Sequence, residues 1–175
     1  MKAVFLDRDG TLIVDPPDLR IDSIAKIHLF PDVFKAMKLL AGLDYKVVMV
    51  TNQAGIAEGR LTEEDFHRLN DIVIELLTPT GVKILKTYFC PHAENTGCDC
   101  RKPKPKMLLE AAEEFGIDDL ANSYSIGDRE SDIQAGINAG TKTILVKTGN
   151  HPVTSEAATY TAADILDAVE YIASH

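Results

Sequence analysis

An α/β fold, a doubly wound Rossmann-like parallel sheet, is what this sequence predicts, and three observations predict it. Apolar runs of strand length alternate with stretches of helical length from end to end, the pattern of a parallel sheet covered on both faces. Three of those runs stop abruptly at polar residues: Val4-Phe5-Leu6 at Asp7, Lys46 to Val50 at Thr51, and Tyr124-Ser125-Ile126 at Gly127-Asp128. In such sheets ligands gather outside the carboxyl ends of the strands at the topological switch point, so three distant segments are expected to meet.

Residues 2–7 are the first expected strand, and a loop over 12–30 carrying Pro16-Pro17 follows. Pro31-Asp32 opens a helix through about residue 42. Residues 46–50 make the second strand, ending at Thr51-Asn52-Gln53. Thr62-x-x-Asp65 has the spacing of a capping box, for a helix burying Phe66, Leu69, Ile72, Val73, Leu76 and Leu77. Residues 84–89 form the third strand and lead into a cysteine-bearing loop over 90–105. A helix covers about 105–116, residues 124–126 a short strand, about 130–139 another helix, 143–146 a fifth strand and 162–173 a closing helix. Too little chain separates the first strand from the second for a cap domain, so the site should be open and rimmed by the loops 12–22 and 53–60 and the cysteine loop.

At 175 residues the chain is expected to be one domain, residues 1–175, that buries about 70% of its unfolded surface without disulfides. A net charge of −9 repels nucleic acid, and no apolar run approaches the roughly 20 residues that span a bilayer. No signal-peptide pattern opens the sequence, so a cytoplasmic monomer is expected, with no nucleic-acid or membrane partner.

Two carboxylates two residues apart at the end of a buried strand cost several kcal/mol unless a cation or hydrogen-bond donors meet them. Asp7 and Asp9 are hard oxygen ligands suited to Mg²⁺, which completes its shell with water and substrate phosphate. Cleaving a phosphate monoester through a covalent intermediate needs few further parts. Asp7 is the candidate nucleophile, and Asp9 the group that protonates the leaving alkoxide and then activates water. Thr51 offers a hydroxyl to a phosphate oxygen, and Lys102 neutralises the transferring group. Asp128 completes the metal site, and Asp132 holds that site from behind.

These segments resemble the haloacid dehalogenase superfamily of phosphatases over residues 3–149. Phe5-Leu6-Asp7-Arg8-Asp9-Gly10-Thr11 matches its first motif, Val50-Thr51-Asn52 its second, the lysine of Cys100-Arg101-Lys102-Pro103-Lys104-Pro105 its third and Gly127-Asp128-Arg129-Glu130-Ser131-Asp132 its fourth. The resemblance implies a Mg²⁺-dependent phosphatase with Asp7 as nucleophile and Asp9 as acid and base. It implies Asp7, the Asp9 carbonyl and Asp128 as metal ligands, and Asn52, Gln53, Arg101 and Arg129 as substrate contacts.

All three cysteines lie beside one histidine: Cys90, His92, Cys98 and Cys100 form a Cys₃His set suited to a closed, structural Zn²⁺. Such a zinc would fix the loop that delivers Arg101 and Lys102. The remaining histidines, His28, His67, His151 and His175, have no partner motif and read as incidental. The zinc loop resembles the branch holding histidinol-phosphate and D-glycero-D-manno-heptose 1,7-bisphosphate phosphatases. Five residues between His92 and Cys98, Asp15-Pro16-Pro17 and Ala121-Asn122-Ser123-Tyr124 look like the histidinol-phosphate enzymes, whereas Gly55-Ile56-Ala57-x-Gly59 looks like the heptose enzymes. A small phosphorylated metabolite is therefore the expected substrate. Histidinol phosphate leads, its amino group drawn by Asp15, Asp18 and Asp22, and heptose bisphosphate is the alternative. The competitor of another class is a phospho-accepting regulatory domain.

Overall fold

The computed structural model describes residues 1–150 and 153–175; His151 lies outside the described residues. Six strands form one parallel sheet: β1 (Ala3–Leu6), β2 (Lys46–Asn52), β3 (Ile84–Cys90), β4 (Tyr124–Gly127), β5 (Lys142–Val146) and β6 (Tyr160–Ala162). Their spatial order is β3-β2-β1-β4-β5-β6, with every pairing parallel. The chain winds outward to one side through β2 and β3, then returns to pair β4 on the other flank of β1. The switch point thus lies between β1 and β4, where Asp7 and Asp128 emerge.

Six α-helices accompany the sheet: α1 (Val33–Ala41), α2 (Ala54–Ala57), α3 (Glu63–Leu77), α4 (Lys106–Phe115), α5 (Glu130–Ala139) and α6 (Ile165–Ser174). Side chains alternate along each strand, so β1 sends Val4 and Leu6 to one face and Ala3 and Phe5 to the other. The first pair packs with α1, α6 and the second half of α3, and the second with α4 and α5. Both faces are covered, which is why β1 and the middle of β2 are apolar throughout.

The capping box at Thr62 forms. The Asp65 N–H donates to the Thr62 hydroxyl at 3.0 Å, and the Thr62 N–H donates back to the Asp65 carboxylate at 3.4 Å. Of the expected apolar stripe, Phe66, Leu69, Val73 and Leu77 are buried, Ile72 is half-buried and Leu76 is exposed.

Three stretches differ from the sequence reading. Tyr160–Ala162 extends the sheet at its edge, and the closing helix starts later than expected. There the Asp164 side chain accepts the N–H groups of Leu166 and Asp167, the work of an N-cap. Residues 54–57 form a turn of helix inside the expected 53–60 loop. The 12–30 segment is tied down by bridges of Ile13 with Asp9 and Leu29, and it buries Leu12, Ile13 and Ile21. No helix among the described residues is long and apolar enough to cross a membrane.

Candidate active site

The carboxyl ends of β1, β2 and β4 border one cleft of about 970 Å³. On its floor Lys102, fully enclosed, donates from Nζ to Asp7 Oδ1 at 2.7 Å and to the Val50 carbonyl at 2.8 Å, and pairs with Asp132 Oδ1 at 2.6 Å. Asp7 and Lys102 are 95 positions apart in the sequence; Asn52, at the end of β2, fixes the Lys102 backbone. Its side-chain oxygen accepts the Lys102 N–H at 3.1 Å and its amide donates to the Lys102 carbonyl at 3.3 Å.

Burial lowers the proton affinity of Lys102, but the carboxylates of Asp132 and Asp7 outweigh it and hold the ammonium well above its ordinary range. The acids fare differently. Burial pushes Asp7 up to about 7 against the pull of Lys102, with Asp132 and Asp9 adding to the rise. Burial, then the charges of Asp7 and Asp132, pushes Asp128 up to about 8. One ammonium therefore faces more carboxylates than it can neutralise.

Oxygens of Asp7, Asp128 and Asp132 lie within 4.8 Å of one another. Three carboxylates share the enclosed Lys102 and, at 3.8 Å, the half-exposed Arg129, and the remaining negative charge is the kind of deficit a divalent cation fills. Neither carboxylate oxygen of Asp128 has a hydrogen-bond partner among the described residues, although both are enclosed. Gly10 and Gly149 press on this group so closely that a Cβ at either would overlap its carboxylate, and Gly10 needs its φ of 82° besides. Orphaned oxygens in a tight cradle fit a hard cation such as Mg²⁺.

Asp9 stands apart from this cluster. Arg8 grips its carboxylate with Nε at 2.8 Å and Nη2 at 3.0 Å, and Gln53 donates from Nε2 at 2.7 Å. Gln53 also donates to Thr51 Oγ1 at 2.9 Å, which leaves the threonine's own proton for an incoming oxygen. Strand-like alternation turns Arg8 away from Asp7, and its guanidinium carbon lies 5.2 Å from the centroid of the Phe66 ring. Arg8 is fully buried, and sequence reasoning missed it. Its signal was a charged residue locked between two aspartates at the end of an apolar strand.

Arg101 and Lys104 spend their charge on the loop that carries Lys102. Arg101 donates to the His92 carbonyl at 3.2 Å and to Glu94 at 2.9 Å; Lys104 donates to the Cys98 carbonyl at 2.6 Å and to Asp99 at 3.0 Å. Arg129 caps the start of α5, with its N–H donating to Asp132 at 3.0 Å and its guanidinium 3.8 Å from both Asp15 and Asp128. The loop after β5 was also missed. Thr148 donates to the Gly10 carbonyl at 2.6 Å and Asn150 to the Asp15 carbonyl at 3.0 Å, which sets Gly149 over Asp128.

Ligand atoms of Cys90, His92, Cys98 and Cys100 lie within 4.8 Å of one another, and all three cysteines are free thiols. Arms of about 2.3 Å in a tetrahedron give edges of about 3.8 Å. The observed edges are 3.7 Å for Cys90–Cys98 and 3.5 Å for Cys90–His92, with His92 offering Nδ1, while those to Cys100 are tighter, 3.2 Å from His92 and 2.7 Å from Cys90, so Cys100 would move outward to bind a metal. This donor set fits Zn²⁺. His28, His67 and His175 stand outside both clusters.

A family model described as HAD-hydrolase-like matches residues 99–171. The D-glycero-beta-D-manno-heptose-1,7-bisphosphate 7-phosphatase of Pasteurella multocida is 40% identical over 176 residues, covering 95% of this chain and 94% of that protein. The D-glycero-alpha-D-manno-heptose-1,7-bisphosphate 7-phosphatase of Campylobacter jejuni is 41% identical over 145 residues, 83% of this chain and 81% of its own. A crystal structure of D,D-heptose 1,7-bisphosphate phosphatase from B. bronchiseptica, complexed with magnesium and phosphate, superposes with a TM-score of 0.89 at 30% identity, covering 99% of both chains. With the fold, the acidic cluster and these relatives in agreement, the chain belongs to the haloacid dehalogenase superfamily of phosphatases, in the branch that holds the heptose-bisphosphate enzymes.

Proposed function

We propose that this chain is a Mg²⁺-dependent phosphomonoesterase that removes the 7-phosphate of D-glycero-D-manno-heptose 1,7-bisphosphate through an aspartyl-phosphate on Asp7. The chemistry rests above all on the contact between Lys102 and Asp7, which builds the attacking carboxylate and the charge that offsets the phosphoryl group as one unit at the floor of the cleft.

In the first half of the reaction an Asp7 oxygen attacks phosphorus and the ester P–O bond breaks. Lys102 holds Oδ1 in place, and Thr11 donates to Oδ2 at 3.3 Å, so the carboxylate cannot rotate freely. Asp9 gives a proton to the leaving alkoxide, for which it turns from Arg8 toward the substrate. In the second half Asp9 takes a proton from water as that water attacks phosphorus, which frees Asp7 and inorganic phosphate. Arg8 and Gln53 are placed to receive the Asp9 carboxylate between these steps. Thr51 donates to a phosphoryl oxygen, and Asp132 keeps Lys102 aimed. Asp7, the Asp9 carbonyl and Asp128 would hold Mg²⁺, which would supply electrostatic stabilisation of the phosphoryl oxygens. The Cys₃His zinc is structural and fixes the loop bearing Lys102.

The substrate rests on the relatives, whose names specify the heptose bisphosphate along nearly the whole length of this chain. Histidinol phosphate, favoured by the short zinc loop, gives way. The acids that were to draw its amino group are already engaged: Asp18 and Asp22 pair with Lys26 at 2.7 and 2.8 Å, and Asp15 is buried beside Arg129. The whole chain acts as one catalytic unit, a cytoplasmic monomer whose thiols stay reduced for zinc.

Steady release of phosphate over many turnovers separates this enzyme from a phospho-accepting domain, which stops at one phosphate per chain. With heptose 1,7-bisphosphate and histidinol phosphate at equal ionic strength, kcat/KM should favour the heptose by about 100-fold or more. Asp7→Asn should abolish turnover on both. A preference for histidinol phosphate would overturn the substrate and leave the phosphatase chemistry standing.

A further inference from the structure

Among the ion pairs that line the cleft are Arg101 with Glu94 in the cysteine loop, and Arg20 with Glu58, which joins the 12–30 segment to the end of α2. The second is a fork. Arg20 donates from Nε to Glu58 Oε2 at 2.8 Å and from Nη2 to Oε1, and its third nitrogen donates to the Leu19 carbonyl at 2.9 Å. Its stem lies on the backbone of Gly55, where a Cβ would come within 3.2 Å. The guanidinium is thus held in one orientation, yet its side chain is 28% exposed.

A guanidinium fork that accepts two carboxylate oxygens accepts two phosphate oxygens equally well, and a phosphate offers more charge. Exchange would not strand Glu58, because Arg60 Nε already lies 3.6 Å from Oε2, the oxygen that accepts from Arg20 Nε. The cleft that Arg20 lines is the one that holds Asp7 and Lys102, and it is large for one reacting phosphate.

We propose that Arg20 receives the second, non-reacting phosphate of a bisphosphorylated sugar, and that Glu58 keeps this arginine in position until the substrate displaces it. This rests on the bisphosphate reading above. Arg20 then sets specificity without taking part in bond breaking, and Glu58 acts as an internal competitor.

The test compares Arg20→Met and Glu58→Gln in the full chain, with kcat/KM measured for heptose 1,7-bisphosphate and for heptose 7-phosphate. Loss of two charge-assisted hydrogen bonds should cut the preference for the bisphosphate about 30-fold in Arg20→Met. Glu58→Gln should do the opposite and lower KM for the bisphosphate by about threefold, because the competitor is weakened. A pair that merely ties two rim loops together would respond alike to loss of either end. Changes of the same sign in both variants, equal for both substrates, would overturn the assignment. So would a wild-type enzyme that does not distinguish the two substrates, although it would remain a phosphatase. Fructose 1,6-bisphosphate and fructose 6-phosphate run in parallel separate the two readings. If the fructose bisphosphate proves the better substrate, the heptose reading fails and the same ratio on fructose decides the role of Arg20.

Discussion

Binding of Mg²⁺ should release protons, and the number released should fall steeply between pH 6 and pH 8. In the metal-free protein burial pushes Asp128 up to about 8, with Asp7 and Asp132 adding to it, and pushes Asp7 up to about 7 against the pull of Lys102. A protonated carboxyl must lose its proton before it takes a metal. The two groups therefore keep most of their protons at pH 6 and far fewer at pH 8. Stability follows with a definite sign. Both groups ionise near 3.8 when unfolded. Between roughly pH 4 and pH 8 the folded, metal-free protein therefore binds more protons than the unfolded chain. It loses stability as the pH rises, by at most about 1.4 kcal/mol per pH unit for each group. Mg²⁺ relieves that repulsion and should raise the melting temperature more at pH 8 than at pH 6. Calorimetric titration in two buffers of different ionisation enthalpy counts the protons, and thermal melting of zinc-replete, Mg²⁺-free protein reads the stability. Asp128→Asn should weaken Mg²⁺ binding and stabilise the metal-free protein at pH 8. Equal proton release at both pH values would refute the reasoning, because the cluster would then carry its charges without a metal.

Asp9→Asn should slow substrates with alkoxide leaving groups by at least about 100-fold more than activated aryl phosphates, which need little protonation; parallel initial rates on a sugar phosphate and an aryl phosphate check it, and equal losses would remove Asp9 from the acid role. Purified protein should carry about one tightly held Zn²⁺ per chain by elemental analysis, and Cys100→Ser should lose it together with most activity while far-ultraviolet dichroism of the sheet is retained.

The sheet was legible because β1 and the middle of β2 are buried on both faces and so read as unbroken apolar runs, and because each catalytic strand ends at a residue that burial alone would not select. Asp7, Thr51 and Asp128 announce themselves in that way, and Thr62 and Asp65 announce a helix start by spacing. What stayed hidden depends on contacts between distant segments. Tyr160–Ala162 is a short edge strand, paired on one side only, and a three-residue run carries too little periodicity to separate from a loop. Asn52 and Gln53 are expected as substrate contacts by resemblance alone. Their inward roles, holding Asp9 and the Lys102 backbone, appear only once the chain has brought residues about 40 to 50 positions away beside them. Arg8 is the strongest case. A fully buried arginine is improbable from composition, since charged side chains are almost never enclosed unless paired, and its partner is the very next residue.

The basic run from Arg101 to Lys106 shows how one local pattern divides into separate physical tasks. Arg101 and Lys104 bind carbonyls and acids of the cysteine loop, Lys106 faces Glu110 at 3.8 Å on α4, and Lys102 alone enters the cleft floor. Cys100 and Lys102 are two residues apart, so any metal that fixes the first constrains the second, and Asn52 fixes it again from the end of β2. An ammonium enclosed between two carboxylates has to be delivered at the right depth, because a small displacement would leave a buried charge unpaired at a cost of several kcal/mol. The cysteine cluster and Asn52, which lie on neighbouring strand ends with Asn52 in register with Cys90, therefore serve the same end. A loop with no regular structure of its own can then carry a residue whose position the chemistry tolerates least.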